Sequence, residues 1–178
     1  MKRILEDVKK FKGNVLCVGV TDKKIMASLK KNPKIGVYEL SRDKPTRFFG
    51  YKKRVKISKG RSVRIKKFRK LFKKKSIEYL IIDLNSIFDH YKFIASNSIY
   101  VCRKKIYIYG NSDYISAKLV AKKFERYKTT IERVQIDNDY LVIVDCSKAK
   151  YSFFKEKMYL IVDTFHNLGD MISYFLTS

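Results

Sequence analysis

Continuous apolar runs alternate along the chain with stretches in which apolar residues recur at the spacing of one helix turn. This spacing predicts a short amphipathic helix over residues 2–12, and the apolar run at 14–20 predicts a strand buried on both faces of a parallel sheet. Thr21 and Asp22 have side chains suited to cap a second helix, which is predicted to end near residues 32–33. The beginning of the chain therefore predicts a β-α unit.

The alternation continues through the middle of the chain. Residues 35–40 predict a second strand, a short strand is predicted at 54–57, and a helix is predicted over 63–75. The apolar face of that helix contains Ile65, Phe68, Leu71 and Phe72. A buried strand at 77–84 and a helix at 86–95 follow, which extends the series of β-α units.

One more strand and one more helix are predicted before the pattern changes. The strand covers residues 99–109, and a helix capped by Ser112 or Asp113 is predicted to run to Tyr127. The buried face of this helix is predicted to contain Ile115, Leu119 and Phe124. Both elements continue the alternation of strand and helix.

After Tyr127 the spacing of the apolar residues changes from that of a helix to that of paired strands. Apolar positions at 131–135 and 140–144 flank the polar residues 137–139, a pattern that indicates an antiparallel hairpin. Alternating strands and helices favour a parallel sheet covered on both faces, because crossovers between parallel strands need an intervening element. The predicted fold is therefore an α/β Rossmann-like three-layer sandwich with a mostly parallel sheet that ends in an antiparallel hairpin.

No Gly-, Pro- or Ser-rich linker divides the chain, so residues 1–178 are predicted to form a single domain. Its parts are an N-terminal helix at 1–12, an α/β core at 13–146 and a C-terminal extension at 147–178. The extension is rich in apolar residues, and it is expected to pack on the core or on a second copy of the chain. A homodimer is thus one prediction.

The formal net charge of +24 is concentrated in residues 44–77, which we call the basic segment. It contains sixteen Lys or Arg and no Asp or Glu, which leaves +8 for the rest of the chain. A/T-rich codon usage would raise Lys, but it would raise Glu as well, and acidic residues are scarce. The segment favours a polyanionic partner, with an unselected solvated face as the alternative.

Cationic side chains in this segment are candidates for contacts with nucleic-acid phosphates. They are Lys52, Lys53, Arg54, Arg61, Arg64, Lys66, Lys67, Arg69, Lys70, Lys73 and Lys74. Phe48, Phe49 and Tyr51 are suited to stack on unpaired bases, or else belong to the core. RNA is favoured over DNA as the partner, while a membrane surface is the competing interpretation of a basic amphipathic helix.

The remaining reactive residue types are few and dispersed. Cys17, Cys102 and Cys146 lie in apolar runs without metal-ligand spacing, and they are predicted to be buried thiols. His90 and His166 have no paired carboxylate or cysteine nearby, so no metal site is expected. No stretch resembles a signal peptide or a membrane span, which makes the cytoplasm the expected location.

The element order and three strand-end positions resemble the class I methyltransferases, a family that commonly uses S-adenosylmethionine. In that family a glycine-rich loop follows the first strand, and an acidic residue ends the second. An acidic or polar residue ends the fourth. Gly19, Glu39 and Asp83 stand at the matching positions. The resemblance implies that these three bind the cofactor, and that Asp83 and Asn85 are the catalytic candidates.

The glycine motif departs from the family pattern. Cys17 stands where the family carries an acidic residue, and further glycines are missing near Thr21 and Lys23. Their loss costs the space that lets the backbone approach a cofactor. Glu39 is alternatively an ordinary solvent-facing loop start, and Asp83 is alternatively the cap of the helix that follows it.

Two main hypotheses follow for the function. The first is an S-adenosylmethionine-dependent methyltransferase that acts on RNA or DNA. The second is a nucleic-acid-binding module that keeps the methyltransferase-like scaffold without the cofactor site, since fold alone does not determine function. An assembly protein that docks on an acidic partner is a third. The sequence leaves open whether the protein is an enzyme.

Overall fold

The computed structural model describes residues 2–40, 47–50, 69–88 and 91–152. The strand predicted at 54–57 and most of the helix predicted over 63–75 lie outside the described residues. So does most of the C-terminal extension predicted at 147–178. The fold given below is therefore that of the described ranges.

Five helices and seven strands occupy the described part of the chain. The first half contains α1 (Lys2–Val8), β1 (Gly13–Val18), α2 (Lys23–Lys31), β2 (Ile35–Leu40) and β3 (Arg47–Gly50). The second half contains β4 (Ile77–Asp83), α3 (Leu84–Ile87), α4 (Tyr91–Val101), β5 (Cys102–Asn111), α5 (Ala117–Glu125), β6 (Thr130–Ile136) and β7 (Asp139–Asp145). The strands predicted at 14–20, 35–40 and 77–84 and the terminal hairpin are present, whereas two helices, α3 and α4, stand where one was predicted over 86–95.

The seven strands form one sheet in the order β3-β2-β1-β4-β5-β7-β6. The central strands β2, β1, β4 and β5 pair in parallel, whereas β7 is antiparallel to both β5 and β6. At the other edge, β3 pairs antiparallel with β2. The prediction of a Rossmann-like sandwich with a mostly parallel sheet and a closing antiparallel hairpin is confirmed.

Two apolar layers cover the two faces of the sheet. One contains α1 and α2, where Phe11 stacks on Tyr79 with ring centroids 3.9 Å apart. The other contains residues of α3, α4 and α5, together with Leu71 and Phe72. Phe72 meets Tyr38 edge-on at 5.4 Å. Burial of apolar surface on both faces explains why the central strands are continuously apolar.

The three cysteines are buried free thiols, as predicted. Burial raises the pKa of the Cys17 thiol, and the nearby Glu39 carboxylate adds to the rise. Burial likewise raises the pKa of Cys102, with a further contribution from Cys146. Cys17 and Cys102 therefore stay protonated and unreactive at neutral pH.

The segment before β4 differs from the predicted helix. Residues 69–76 form a short 3₁₀ turn and two further turns, and Lys75 adopts a positive φ of 54°. Its backbone N–H donates to the carbonyl of Tyr100. Leu71 and Phe72 are nevertheless buried, as predicted, because the turn still directs them onto the core. The prediction of a helix that continues to Lys75 is therefore wrong for residues 69–75.

The boundary between α4 and β5 also differs from the prediction. Residues 99–101 were expected in a strand, but they form the last turn of α4, and β5 begins at Cys102 and continues through Asn111. Ile94, Ala95 and Ile99 line the buried side of the helix. Apolar residues at the end of a helix and at the start of a strand merge into one run, so periodicity does not mark the boundary.

Helix α5 begins later than predicted. Its cap is Ser116, whose hydroxyl accepts the backbone N–H of Leu119, rather than Ser112 or Asp113. Ile115 and Phe124 are buried as expected, but Leu119 is 38% exposed. The buried residues of α5 are Ala117, Val120, Ala121 and Phe124, which recur at the spacing of one helix turn.

The corrected cap makes a prediction about stability. Replacing Ser116 with Ala removes an acceptor for an orphan N–H in the first turn, so the free energy of unfolding should fall by about 1 kcal/mol. Urea denaturation followed by circular dichroism measures the change. Ser112→Ala is the matched control and should cost less. Equal losses for the two variants would contradict the assignment of the cap.

Candidate functional site

A cavity of about 870 Å³ opens at the edge of the sheet where β4 and β5 end. Residues of α1, the start of α2 and the turn between β6 and β7 complete its walls. Helix α1 is fixed over this edge because Asp7 accepts a hydrogen bond of 3.0 Å from the Tyr107 hydroxyl of β5. Ligands of open α/β sheets bind beyond the carboxyl ends of the strands, so the cavity is the candidate site.

Asp83 ends β4 and lines the cavity, although its side chain is only 4% exposed. One carboxylate oxygen accepts the backbone N–H of Asn85 at 3.1 Å, which makes Asp83 the cap of α3. The other accepts the Thr21 hydroxyl at 3.1 Å. The capping role considered from the sequence is thus present, and the same carboxylate also faces the cavity.

Asn85 lies beside Asp83 in the cavity wall. Its side-chain oxygen accepts the backbone N–H of Asn111 at 2.8 Å and so ties the end of β4 to the end of β5. The two residues suggested as catalytic are therefore close together, and hydrogen bonds fix both. Whether they catalyse a reaction stays a prediction.

Tyr109 is a cavity residue that the sequence analysis missed. It is 6% exposed, and its hydroxyl lies beside the Asp83 carboxylate, with which it interacts. Burial raises the pKa of Tyr109, and the neighbouring Asp83 carboxylate is the next largest cause. The side chain therefore presents a neutral hydroxyl beside a carboxylate. The available signal was the period-2 pattern of β5, which places Tyr109 on the same face as Tyr107.

Tyr140, also missed from the sequence, lines the cavity from β7. It pairs in register with Gly110, and a Cβ on Gly110 would lie 2.7 Å from the Tyr140 hydroxyl. The glycine therefore makes room for the tyrosine ring. The Tyr140 hydroxyl is buried without a hydrogen bond among the described residues, and burial raises the pKa of Tyr140 to about 12.

Gly19 does not line the cavity, because protein atoms fill the space around it. It has a positive φ of 68°, and a Cβ at this position would clash with the Ser86 hydroxyl and lie 2.9 Å from a methyl group of Ile87. The Ser86 hydroxyl also donates to the Gly19 carbonyl at 2.6 Å. The structural reason for this glycine is close packing between the β1 loop and α3.

Glu39 lies on β2 directly beside Cys17 of β1, and it is partly buried. It does not line the cavity among the described residues. Of the three positions that the resemblance assigns to the cofactor, only Asp83 thus reaches the cavity. Gly19 is nevertheless close to Asp83, because a Cβ on Gly19 would lie 3.3 Å from the Asp83 carbonyl oxygen.

The described residues do not fit S-adenosylmethionine in the manner that the resemblance implies. The crevice between β1 and β4 is the point where the strand order reverses, which is the usual binding place in such sheets. Here the bonds Thr21–Asp83 and Ser86–Gly19 cross this crevice. A ligand that approached the backbone of Gly19 would have to displace Ser86 and Ile87.

Four of the predicted nucleic-acid contacts lie in the described part of the chain. Arg69 is partly buried, and its guanidinium donates to the Tyr151 hydroxyl at 2.7 Å. Lys70, Lys73 and Lys74 are exposed. Outside the described residues lie Lys52, Lys53, Arg54, Arg61, Arg64, Lys66 and Lys67, as do His90 and His166. Arg69 thus has a structural contact, and the three lysines lie at the exposed surface.

Metal-binding and membrane-spanning features are both absent from the described ranges. Within them, no group of three or more His, Cys, Asp or Glu side chains is arranged to hold a metal ion. No helix there combines the length and the apolar character needed to cross a bilayer.

Comparisons with known proteins found similarity only among solved structures. No protein-family model matches the chain, and no curated protein matches it. One similar structure is a protein-(glutamine-N5) methyltransferase (release factor-specific) from Alicyclobacillus acidocaldarius subsp. acidocaldarius DSM 446. It has a TM-score of 0.45 at 13% identity, with 81% of this chain and 90% of that chain covered. Another is an uncharacterized protein from Listeria monocytogenes serotype 4b, with a TM-score of 0.38 at 16% identity and coverage of 97% and 87%.

The packing around Gly19 makes a prediction that separates a structural glycine from a cofactor glycine. Gly19→Ala adds a Cβ at positive φ against Ser86 and Ile87, so the free energy of unfolding should fall by about 2 kcal/mol or more. Chemical denaturation without any ligand measures the loss. A variant as stable as the parent protein would contradict this account of the crevice.

Proposed function

We propose that the protein binds nucleic acid through its basic segment, and that its methyltransferase-like scaffold acts as a binding module without the cofactor. The observation that carries the proposal is the segregation of charge. Residues 44–77 hold sixteen cations and no carboxylate. Like charges at this density repel one another, and a polyanion relieves the repulsion while it releases its own counterions.

Within the described residues, Lys70, Lys73 and Lys74 support the proposal. They are exposed, while the adjacent Leu71 and Phe72 are buried in the core. Leu71 and Phe72 are therefore occupied by packing and are not available to a bilayer, which disfavours the alternative of a membrane surface. Phosphate groups are the partner that the exposed lysines suit best.

RNA is favoured over DNA within this proposal. Aromatic residues interleave with the cations at the start of the basic segment, where Phe48, Phe49 and Tyr51 occur. Such residues stack on bases that are unpaired, and unpaired bases are common in folded RNA. The cytoplasm is the proposed location.

An S-adenosylmethionine-dependent methyltransferase is the second candidate. It is favoured by one observation, the position of Asp83 and Asn85 in a cavity at the carboxyl edge of the sheet. It is disfavoured by the bonds that close the crevice at Gly19. The nucleic-acid-binding module is therefore the function that we prefer.

Charge reversal tests nucleic-acid binding. Changing Lys66, Lys67 and Lys70 to Glu should weaken the binding of a structured RNA at least about tenfold at low salt, because these side chains would no longer neutralise phosphates. The dependence of log K on log salt should also become less steep, by up to about 0.9 on duplex for each phosphate that is no longer neutralised. Fluorescence anisotropy at several salt concentrations provides both values.

The matched control changes Lys9, Lys10 and Lys12 to Glu. These three lysines are exposed and lie outside the basic segment, and their reversal alters net charge by the same amount. The control should lose much less affinity. Equal losses would show that total charge rather than the basic segment governs binding, and affinity that is independent of salt would refute phosphate binding altogether.

Calorimetry separates the two candidate functions. Titration of the purified protein with S-adenosylmethionine, and with its demethylated product, should give no binding heat at millimolar ligand because the crevice is closed. Saturable binding that Glu39→Gln weakens would instead support the methyltransferase. RNA binding measured on the same preparation confirms that the protein is folded and active.

A further inference from the structure

We propose that bound RNA continues from the basic segment along the edge of the sheet where β4, β5 and β6 begin. We call the cationic surface at this edge the amino-edge surface, and it consists of residues 69–76, 126–129 and 146–151, which lie between or beside the strands and helices. The inference rests on the proposed function and deepens it, because it states which face of the folded domain contacts the phosphates.

The directions of the strands bring these three stretches to one edge. Strands β4 and β5 are parallel and start side by side, with Ile77 opposite Cys102. Strand β7 is antiparallel to both of its neighbours and therefore ends at this edge, where its last residue, Asp145, lies opposite the first residue of β6, Thr130. Residues that precede β4, precede β6 and follow β7 are consequently neighbours.

Hydrogen bonds fix the turn before β4 against the start of β5. The backbone N–H of Lys75 donates to the Tyr100 carbonyl at 2.8 Å, and the Lys75 Nζ donates to the Cys102 carbonyl at 2.9 Å. Burial lowers the pKa of Lys75. Lys75 therefore holds the turn in place, while the neighbouring Lys73 and Lys74 are exposed.

The stretch that follows β7 packs beside the same turn. The Arg69 guanidinium donates to the Tyr151 hydroxyl at 2.7 Å, and the Tyr151 ring meets Tyr100 edge-on with ring centroids 5.1 Å apart. Between the end of β7 and Tyr151, Lys148 and Lys150 are exposed. Cationic residues from two distant parts of the chain are thus held on one surface.

The two edges of the sheet carry opposite charge. The three stretches of the amino-edge surface contain nine Lys or Arg and no Asp or Glu. Three described connections at the carboxyl edge, residues 19–22, 112–116 and 137–138, contain three Asp and no Lys or Arg. Glu125 and Asp145, the last residues of α5 and β7, border the amino-edge surface but leave its charge positive. Charge complementarity therefore selects a polyanion as the occupant of this surface.

The two edges are far enough apart to act separately on a polyanion. Strand β5 connects them and has ten residues, Cys102–Asn111. At about 3.3 Å per residue this strand spans about 30 Å. Exposed charges are screened over about 8 Å at physiological ionic strength. The carboxylates of the carboxyl edge therefore leave phosphate contacts at the amino edge intact.

Stabilisation of helix ends is an alternative explanation of cations at this edge, because cations near the last turn of a helix offset its dipole. It accounts for the basic residues in the last turn of α5. It does not account for Lys148 and Lys150, which follow a strand, or for Lys73 and Lys74, which precede one. These four lysines are better explained by phosphate contacts.

The amino-edge surface lies on the side of the sheet covered by α3, α4 and α5. Leu71, Tyr127 and Cys146, one from each stretch, are buried in the apolar layer on that face. Phe11, between α1 and β1, is buried in the layer on the opposite face. The exposed lysines at 9–12 accompany Phe11, so we place them outside the amino-edge surface.

Reversal of Lys128, Lys148 and Lys150 to Glu tests the inference, because all three are exposed and none belongs to the basic segment. The affinity for a structured RNA should fall at least about tenfold at low salt, since these side chains would no longer neutralise phosphates. The dependence of log K on log salt should also become less steep. Fluorescence anisotropy gives both values, and the melting temperature shows whether the variant is folded.

The matched control changes Lys23, Lys24 and Lys118 to Glu. These lysines are exposed in the first turns of α2 and α5, which begin at the carboxyl edge, and their reversal alters net charge by the same amount. Glu suits the first turn of a helix, so this variant should fold. It should bind RNA almost as tightly as the parent protein, and a loss equal to that of the amino-edge variant overturns the inference.

Lysine acetylation followed by mass spectrometry locates the RNA on the parent protein, where misfolding of a variant has no influence. Saturation with RNA should slow the acetylation of Lys128, Lys148 and Lys150 and leave that of Lys23 and Lys24 unchanged. Unprotected amino-edge lysines in a saturated complex contradict the inference.

The outcomes separate this inference from the proposed function. If reversal of Lys66, Lys67 and Lys70 weakens RNA binding while the amino-edge variant binds like the parent protein, the basic segment binds RNA and the inference fails. Absence of RNA binding by the parent protein contradicts both. Polyglutamate that displaces RNA at equal charge concentration would indicate an acidic protein as the partner and would also overturn the inference.

Discussion

The contact between the residues that follow β1 and the start of α3 is the constraint on which the rest of the site depends. Strands β1 and β4 pair at the centre of the sheet, where the strand order reverses. Ser86 donates to the Gly19 carbonyl, and Thr21 donates to Asp83. These two bonds close the usual binding crevice and orient Asp83 at the same time. Open space remains one strand further on, beyond β4 and β5.

Much of the fold could be predicted from the sequence because its central strands are buried on both faces. Burial of this kind leaves continuous apolar runs, and β1, β2 and β4 were recognised by them. Where two elements share one apolar run, as at residues 99–102, the pattern does not say where helix becomes strand. The predicted cap of α5 was wrong for a related reason, since Ser112, Asp113 and Ser116 all suit an N-cap and only the packing of Ala117 and Val120 decides.

The candidate site was less predictable than the fold. Asp83 and Asn85 could be found because they lie at the end of a buried strand. Tyr109 and Tyr140 come from strands that are far apart in sequence and neighbours in space, and only the paired strands bring them to the same cavity. For Gly19 the sequence suggested a role that the structure does not need. Its place in a family motif suggested contact with a ligand, whereas close packing against Ser86 and Ile87 explains the glycine without one.

The basic segment and the cavity differ in the sign of their charge. A polyanion that neutralises the basic segment gains from the release of counterions, but it would meet an excess of carboxylates at the cavity. A cation drawn into the cavity is, for the same reason, repelled by the basic segment. The closed crevice leaves Asp83 facing this acidic space.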